Sequence, residues 1–339
     1  MSPRLRMVAR RLLQALPALC GIVVITFLLT RALPGDPAAY FAGPAATPES
    51  IAEIRHKLGF DRSLPVQFAH YVTDLVHGDL GQSLTTGQSV REALLQRLPA
   101  SLELTFSGLV IAVGIGLPLG ILAATRPDSW IDHLCRVVAT AGVSLPTFFT
   151  GLLLITVFYA WLGWAPAPLG RLDVAYSPPD GPTGFFVLDA LVAGDLDVAR
   201  AAAAQLLLPA LTLGLFTMAP IARMSRAAML AALGSDYIRT ARAAGLPRRQ
   251  VLITYALGNA ILPVLTTLGM VFSFTLGANV LVEKVFAWPG IGSFAVDALT
   301  ASDYAAVQGF VLTMAILFVL LNLLIDVILT LTDPRVVAG

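Results

Sequence analysis

Few residues in this 339-residue chain could carry chemistry, and they are scattered. Its four histidines (His56, His70, His77, His133) and two cysteines (Cys20, Cys135) show no metal-ligand spacing, and two thiols are too few for a disulfide framework. No GxxxxGK(S/T) loop is present to cradle nucleotide phosphates, and neither HExxH nor GxSxG is present for hydrolysis. An intramembrane protease needs a hydroxyl, a paired aspartate or a metal at depth, and no such constellation stands out. Ion-coupled carriers keep carboxylates near the bilayer midplane. The carboxylate well inside an apolar run is Asp326, near one end of it. A charge at mid-membrane costs about 2.5–3.5 kcal/mol and less near an end, so Asp326 reads as the structural partner of a nearby arginine. The sequence thus predicts no catalytic residue, no metal and no cofactor held by this chain.

What remains is a basic stretch, Arg223 to Pro263. It holds six arginines (Arg223, Arg226, Arg239, Arg242, Arg248, Arg249) against one acid, Asp236, with long apolar runs on either side. Between two membrane spans such a stretch belongs on the cytoplasmic side. Ser235 suits an N-cap, and Asp236 places a negative charge in the first turn that follows. Gly245 suits a left-handed C-terminal cap with Arg242 near the helix end, and Pro247 suits the start of a second helix. Two short cytoplasmic helices joined at Gly245–Pro247 are expected. From the residues alone they read equally as a connecting loop made basic by topology or as a docking surface for a soluble partner.

The elements that hold this stretch are membrane spans. The chain is 57% hydrophobic and 13% charged, with a mean hydropathy of +0.79. Soluble domains carry roughly a quarter charged residues, so an all-α polytopic membrane protein is expected. Six spans are predicted: Leu12–Thr30, Thr105–Ala124, Val137–Leu162, Ala201–Ala222, Tyr255–Val282 and Ala305 to about Thr332. The first reads as a retained span, because no small-residue cleavage site follows it. Glycines in the second should let helices approach closely. Pro146, in SLPTFF, should kink the third near its middle. Residues 32–97 read as an external amphipathic segment with a helix capped by Thr47 and ended by Gly59, then an amphipathic run from Pro65 to Val76. Residues 98–332 read as the transport core, with an external insertion at 163–200 and a cytoplasmic loop at 223–254; 333–339 is a cytoplasmic tail. The aromatics Phe286, Trp288 and Phe294 are expected in an interfacial belt. Thr275, Asn279, Gln308 and Asn322 are candidates to line a path, or equally to bond helix to helix.

Charge asymmetry orients the layout. The segments placed inside hold 13 of the 22 Lys and Arg and 5 of the 21 Asp and Glu, a net +8 inside against −7 outside. The positive-inside rule then puts both termini in the cytoplasm.

A series of stretches then carries a resemblance. They include LPGDP (Leu33–Pro37), HGDLGQS (His77–Ser83), LPASLELT (Leu98–Thr105), GLPLGILAA (Gly116–Ala124), SLPTFFTGLLLI (Ser144–Ile155), LPALTLG (Leu208–Gly214) and ARMSRAAML (Ala222–Leu230). They continue with SDYIRTARAAGLP (Ser235–Pro247), NAILPVLT (Asn259–Thr266), VEKVFAWPGIG (Val282–Gly292), DALTASDYAAVQG (Asp297–Gly309) and DPR (Asp333–Arg335). In this order they resemble the permease subunits of bacterial peptide/nickel-type ABC importers, and the long insertion Gly170–Asp195 is similar to the dipeptide-permease branch.

The resemblance implies a type I ABC importer transmembrane fold in the bacterial inner membrane. It implies that Ser235, Asp236, Tyr237, Ile238, Arg239, Thr240, Ala241, Arg242, Ala244, Gly245 and Leu246 form the element that couples to an ATP-hydrolysing subunit. The chain departs from the pattern at Ala244, Tyr255 and Gly258, where a lysine, a histidine and an arginine are common. Implied partners are a second homologous permease, two ATPase subunits that bind ATP and Mg, an external substrate-binding protein and membrane lipid, with no nucleic acid. The implied cargo is a dipeptide or short peptide; nickel, glutathione or another small solute carried by the same machinery is the alternative, and a stand-alone secondary transporter ranks below both.

Overall fold

The computed structural model describes residues 3–32, 38–39, 46–57, 59–83 and 85–332. The expectations placed on LPGDP, on DPR and on the tail fall outside them. The elements in order are α1 (Pro3–Ala32), α2 (Pro48–Lys57), α3 (Leu64–Val76), α4 (Val90–Thr125), α5 (Trp130–Ser144) and α6 (Thr147–Trp161). Then follow α7 (Phe186–Ala193), α8 (Leu196–Leu233), α9 (Asp236–Ala243), α10 (Arg248–Val285), α11 (Ile291–Thr300) and α12 (Tyr304–Thr332). No β-strand occurs among the described residues, only an isolated bridge between Gln82 and Ser89.

Four of these helices are long and apolar enough to cross a membrane: α4, α8, α10 and, over Tyr304–Ile328, α12. The pair α5 and α6 makes a fifth if it is one span, and the apolar part of α1 described here runs from Leu13 to Leu28. Lipid tails are as apolar as leucine, so burial of apolar surface does not drive these helices together; close packing does. The closest pairing is α4 with α8. A methyl group on Gly120 would lie 2.5 Å from the Ala222 carbonyl oxygen, and one on Gly108 would lie 2.8 Å from Leu213 Cβ. The glycine-rich run of α4 is what lets the two backbones meet, as its composition predicts. Around this axis Leu104, Leu213, Val282 and Trp288 form a core against Ala100 and Ala210.

Two expectations about element ends are corrected. The third span is not one kinked helix: α5 and α6 meet at 106° across Leu145 and Pro146. Pro146 has no N–H to give to the helix before it, and the residue ahead of a proline is pushed to extended backbone, as Leu145 is (φ −95°, ψ 132°). The fourth span begins earlier than Ala201, inside the insertion. The insertion holds α7, closed by Gly194 at φ +77°, and α8 begins at Leu196, because the Asp195 carboxylate accepts from Val198 N at 3.0 Å and caps it.

After α1, the N-terminal helices match their signals. Thr47 Oγ1 accepts from Ser50 N at 3.3 Å, and Gly59 (φ +70°) follows the end of α2. α3 packs on the C-terminal end of α1, with Phe27 5.1 Å from Phe68 and the Arg31 guanidinium 3.5 Å over the Phe27 ring.

Candidate functional site

The basic stretch folds as two helices with a tight joint between them. α9 buries one narrow edge: Ile238 and Ala241, three residues apart and therefore on one face, are both buried. They sit in a cluster with Ala124 at the end of α4, Met229 and Ala232 of α8, and Val251, Ala256 and Ala260 of α10. The rest of α9 faces outward. Asp236, Tyr237, Arg239, Thr240 and Arg242 are exposed, and the Arg239–Asp236 pair at 3.5 Å is solvated on both sides.

The C-terminal joint is a Schellman motif. Leu246 N–H donates to Ala241 O (3.3 Å) and Gly245 N–H to Arg242 O (3.0 Å), with Leu246 packed on the Ala241 cluster. Gly245 lies at φ +76°, where a residue with a Cβ is strained. Pro247 stands as the N-cap of α10, and its carbonyl accepts from Gln250 N and Val251 N. Ser235 occupies the N-cap position with extended backbone, but its hydroxyl does not cap α9. It donates back to Ala232 O at 2.5 Å, so Ser235 closes α8 instead. Beyond the joint, α10 widens to π-helical winding over Val251–Leu257. Thr125, Leu233, Arg242, Leu246, Arg248, Val251 and Leu252 line a shallow pocket at this corner.

The three departures from the family pattern leave this packing intact. Ala244 is the exposed C-cap of α9, Tyr255 is exposed in the π-helical turn, and the Cα of Gly258 faces open space.

Not every arginine of the stretch is exposed. Arg226 makes a two-point ion pair with Asp132, Nε to Oδ1 at 2.5 Å and Nη2 to Oδ2 at 2.8 Å. Asp132 is fully buried, also accepts from Asp128 N at 3.0 Å, and has Arg136 at 3.6 Å. The pair ties the start of α5 to α8, some seven residues before α8 ends. Topology alone does not account for Arg226.

Toward the helix ends opposite α9 the polar groups turn inward. Ser101 Oγ donates to Glu283 Oε1 (2.5 Å) and accepts from Ile291 N (2.9 Å); Ser293 N donates to Glu283 Oε2 (2.8 Å). Asn279 Nδ2 reaches Ser101 O, Thr105 Oγ1 and Glu283 Oε1, at 3.0–3.2 Å. Trp288 Nε1 donates to Ala100 O at 2.9 Å. One step outward, Arg171 pairs with Glu103 at 2.5 Å, both buried; it donates to Gly184 O (2.7 Å) and lies 3.6 Å over the Phe186 ring. Glu103 Oε1 also accepts from Val187 N (3.0 Å), so the insertion is fastened to α4. A third clasp joins Asp303 to Ser83 Oγ at 2.7 Å and to Thr85, while Asp303 caps α12 through Ala306 N.

These clasps place the candidate path residues. Thr275 is buried with its hydroxyl on Val271 O, and Asn279 is buried inside the Ser101–Glu283 network. Asn322 donates to Phe318 O within its own helix, and Gln308 approaches Thr26 O of α1 at 3.5 Å. In this conformation the structure brings Asn279 together with Glu283 and does not bring the four together. The aromatics Phe286, Trp288 and Phe294 are corrected: all three are buried among the chain's own helices rather than set in a lipid-facing belt. Sequence reasoning missed Asp132, Glu103, Arg171, Glu283 and Asp303 as a set. The available signal for Glu103, Arg171, Glu283 and Asp303 was their position inside the resembling stretches; Asp132 lies outside them.

Comparison with known proteins fits this geometry. The model of the binding-protein-dependent transport system inner membrane component matches residues 116–338, and its N-terminal companion matches residues 4–105. The chain is 46% identical over 319 residues to a probable D,D-dipeptide transport system permease protein of Escherichia coli K12, covering 94% of each. It is 41% identical to the di/tripeptide transport system permease protein of Pseudomonas aeruginosa and 38% identical to the dipeptide transport system permease protein of Escherichia coli K12, covering 98% of each chain in both cases. Among solved structures, an inward-facing MetNI methionine ABC transporter superposes with a TM-score of 0.50 at 18% identity, over 71% of this chain and 96% of that one. An all-helical chain with several spans, matched along nearly its whole length, therefore belongs to the family of inner membrane components of binding-protein-dependent transport systems, and is a multi-pass permease subunit of the bacterial inner membrane.

Proposed function

We propose that this permease moves dipeptides or other short peptides into the cytoplasm, and that α9 is where a separate ATPase subunit drives it. The observation that carries the coupling role is the two-sided build of α9. Its outward face presents Asp236, Tyr237, Arg239, Thr240 and Arg242, while its foot, Ile238 and Ala241, sits in a cluster shared by α4, α8 and α10. A load on the outward face is transmitted to three spans at once. With six spans and both termini in the cytoplasm, the transport cycle is a rigid-body exchange between inward-open and outward-open states.

The full machine contains a second, homologous permease, two ATPases that bind ATP and Mg, and an external binding protein that delivers the peptide. This chain holds no cofactor. The peptide cargo is supported by the printed names of relatives that cover nearly all of the chain.

The test is uptake of a labelled dipeptide into liposomes holding the assembled complex with its binding protein. Uptake is expected only with ATP inside the reach of the ATPases. Uptake by the permeases with the ATPases omitted contradicts the proposal, and ATP-dependent uptake of nickel or glutathione in place of peptide reassigns the cargo.

A further inference from the structure

We propose that α7 is an interfacial helix seated in the headgroup region of the outer leaflet, so that the bilayer itself helps hold the outer insertion in place. α7 is two-faced. Its inner side carries Asp189 and Ala190, both buried, and Ala190 packs with Val198 and Ala199 of the first turn of α8. Its outer side carries Leu188, Leu191 and Val192, spaced three and four residues apart, the last 77% exposed. Leu196, exposed at the start of α8, continues the same apolar character. No charged side chain of α7 faces outward, since its one acid, Asp189, is turned in to Thr183.

What covers this face follows from continuity with the spans. Gly194 and Asp195 are all that separates α7 from α8, whose first turn still carries the exposed pair Asp197–Arg200. The apolar crossing of α8 therefore begins after Arg200, which leaves α7 about at the level of the headgroups. α6 ends at the same core: Phe158 and Ala165 pack on the cluster that Val187 of α7 also touches. Just there Trp161 and Trp164 are both about three-quarters exposed. Exposed tryptophans at a span end, beside a short helix with one apolar face, are the composition of a membrane–water interface. The inner face of the insertion carries the Val187–Glu103 and Arg171–Glu103 contacts, so lipid contact on one side and the clasp on the other fix the same segment.

Nitroxide labels decide the matter. Single cysteines replace Leu188, Leu191 or Val192 in a chain carrying Cys20→Ser and Cys135→Ala, with Val174→Cys as the exposed reference within the insertion. The complex is reconstituted in phosphatidylethanolamine–phosphatidylglycerol vesicles, and accessibility to oxygen and to a water-soluble nickel chelate is compared. The expected result is that labels at Leu191 and Val192 favour oxygen by at least several-fold relative to the label at Val174. Chelate-dominated labels at both positions would place α7 in water and overturn the proposal. So would labels shielded from both probes that open only when the binding protein or the second permease is left out, which would make the face a protein interface. A second readout needs no cysteine: quenching by lipid brominated near the headgroup is expected to fall by more than half in Trp161→Phe/Trp164→Phe, and unchanged quenching counts against the proposal.

Discussion

The two ends of the bundle handle charge in opposite ways. At the end away from α9, Glu103, Arg171, Glu283 and Asp303 are buried and bonded to partners up to 220 residues away in sequence. At the opposite end α9 keeps Asp236, Arg239 and Arg242 in solvent and anchors itself by two small-to-medium apolar side chains. Buried polar groups bonded across the fold hold together what they join, even with Arg171 Nε left without a partner, whereas exposed charges contribute little to stability and remain free to meet a partner. On the proposed coupling role, the difference is that between a fixed end and a working end, and substitutions should tell them apart.

The largest effect is expected at the fixed end. Arg171→Ala leaves Glu103 buried without its cation, and such a loss costs about 3–5 kcal/mol. Detergent-solubilised yield and thermal stability should fall together, and Glu103→Gln added to Arg171→Met should recover part of the loss. If Arg171→Ala keeps wild-type stability, the clasp does not fasten the insertion. Next comes the helix axis. Gly120→Leu forces a side chain onto the Ala222 carbonyl, where overpacking costs about 1–3 kcal/mol, and the melting temperature is expected to drop without a change in ATPase recovery in pull-down.

At the working end the effects should be on coupling rather than on folding. Gly245→Val places a β-branched residue at φ +76°, a strain of about 1–3 kcal/mol confined to the joint. ATP hydrolysis should continue while peptide uptake per ATP falls; normal transport would remove the joint from the mechanism. The smallest stability change is expected for Arg239→Glu with Arg242→Glu, within about 0.5 kcal/mol, since both are exposed. Its effect should instead be reduced recovery of the ATPase in pull-down, and unchanged recovery would mean that these two arginines serve topology alone.

The working end was the more legible in sequence, because its signals are local. Gly245 in a left-handed cap, Pro247 at the start of the next helix and the span of α9 all follow from neighbours within a few residues. The hydroxyl of Ser235 was the exception, since bonding back to Ala232 competes with capping forward and spacing does not say which wins. The fixed end was illegible for the opposite reason. Ser101 and Glu283 meet across 182 residues, and neither stretch predicts the other without the fold. For the same reason Asn279, polar inside a span, fits a path and a packing bond equally well until its partners are seen. The break at Pro146 lay between the two cases: proline announced a disruption, but local spacing does not give its size, 106°.

Cross-linking from α9 tests the central claim most directly. With Cys20→Ser and Cys135→Ala as background, Tyr237→Cys and Thr240→Cys carry a short photo-cross-linker in the transport-active complex, and Val174→Cys serves as the control at the other end of the bundle. The account predicts adducts with the ATPase from Tyr237 and Thr240 and none from Val174. A complex that takes up peptide with ATP yet yields no ATPase adduct from either α9 position would contradict it.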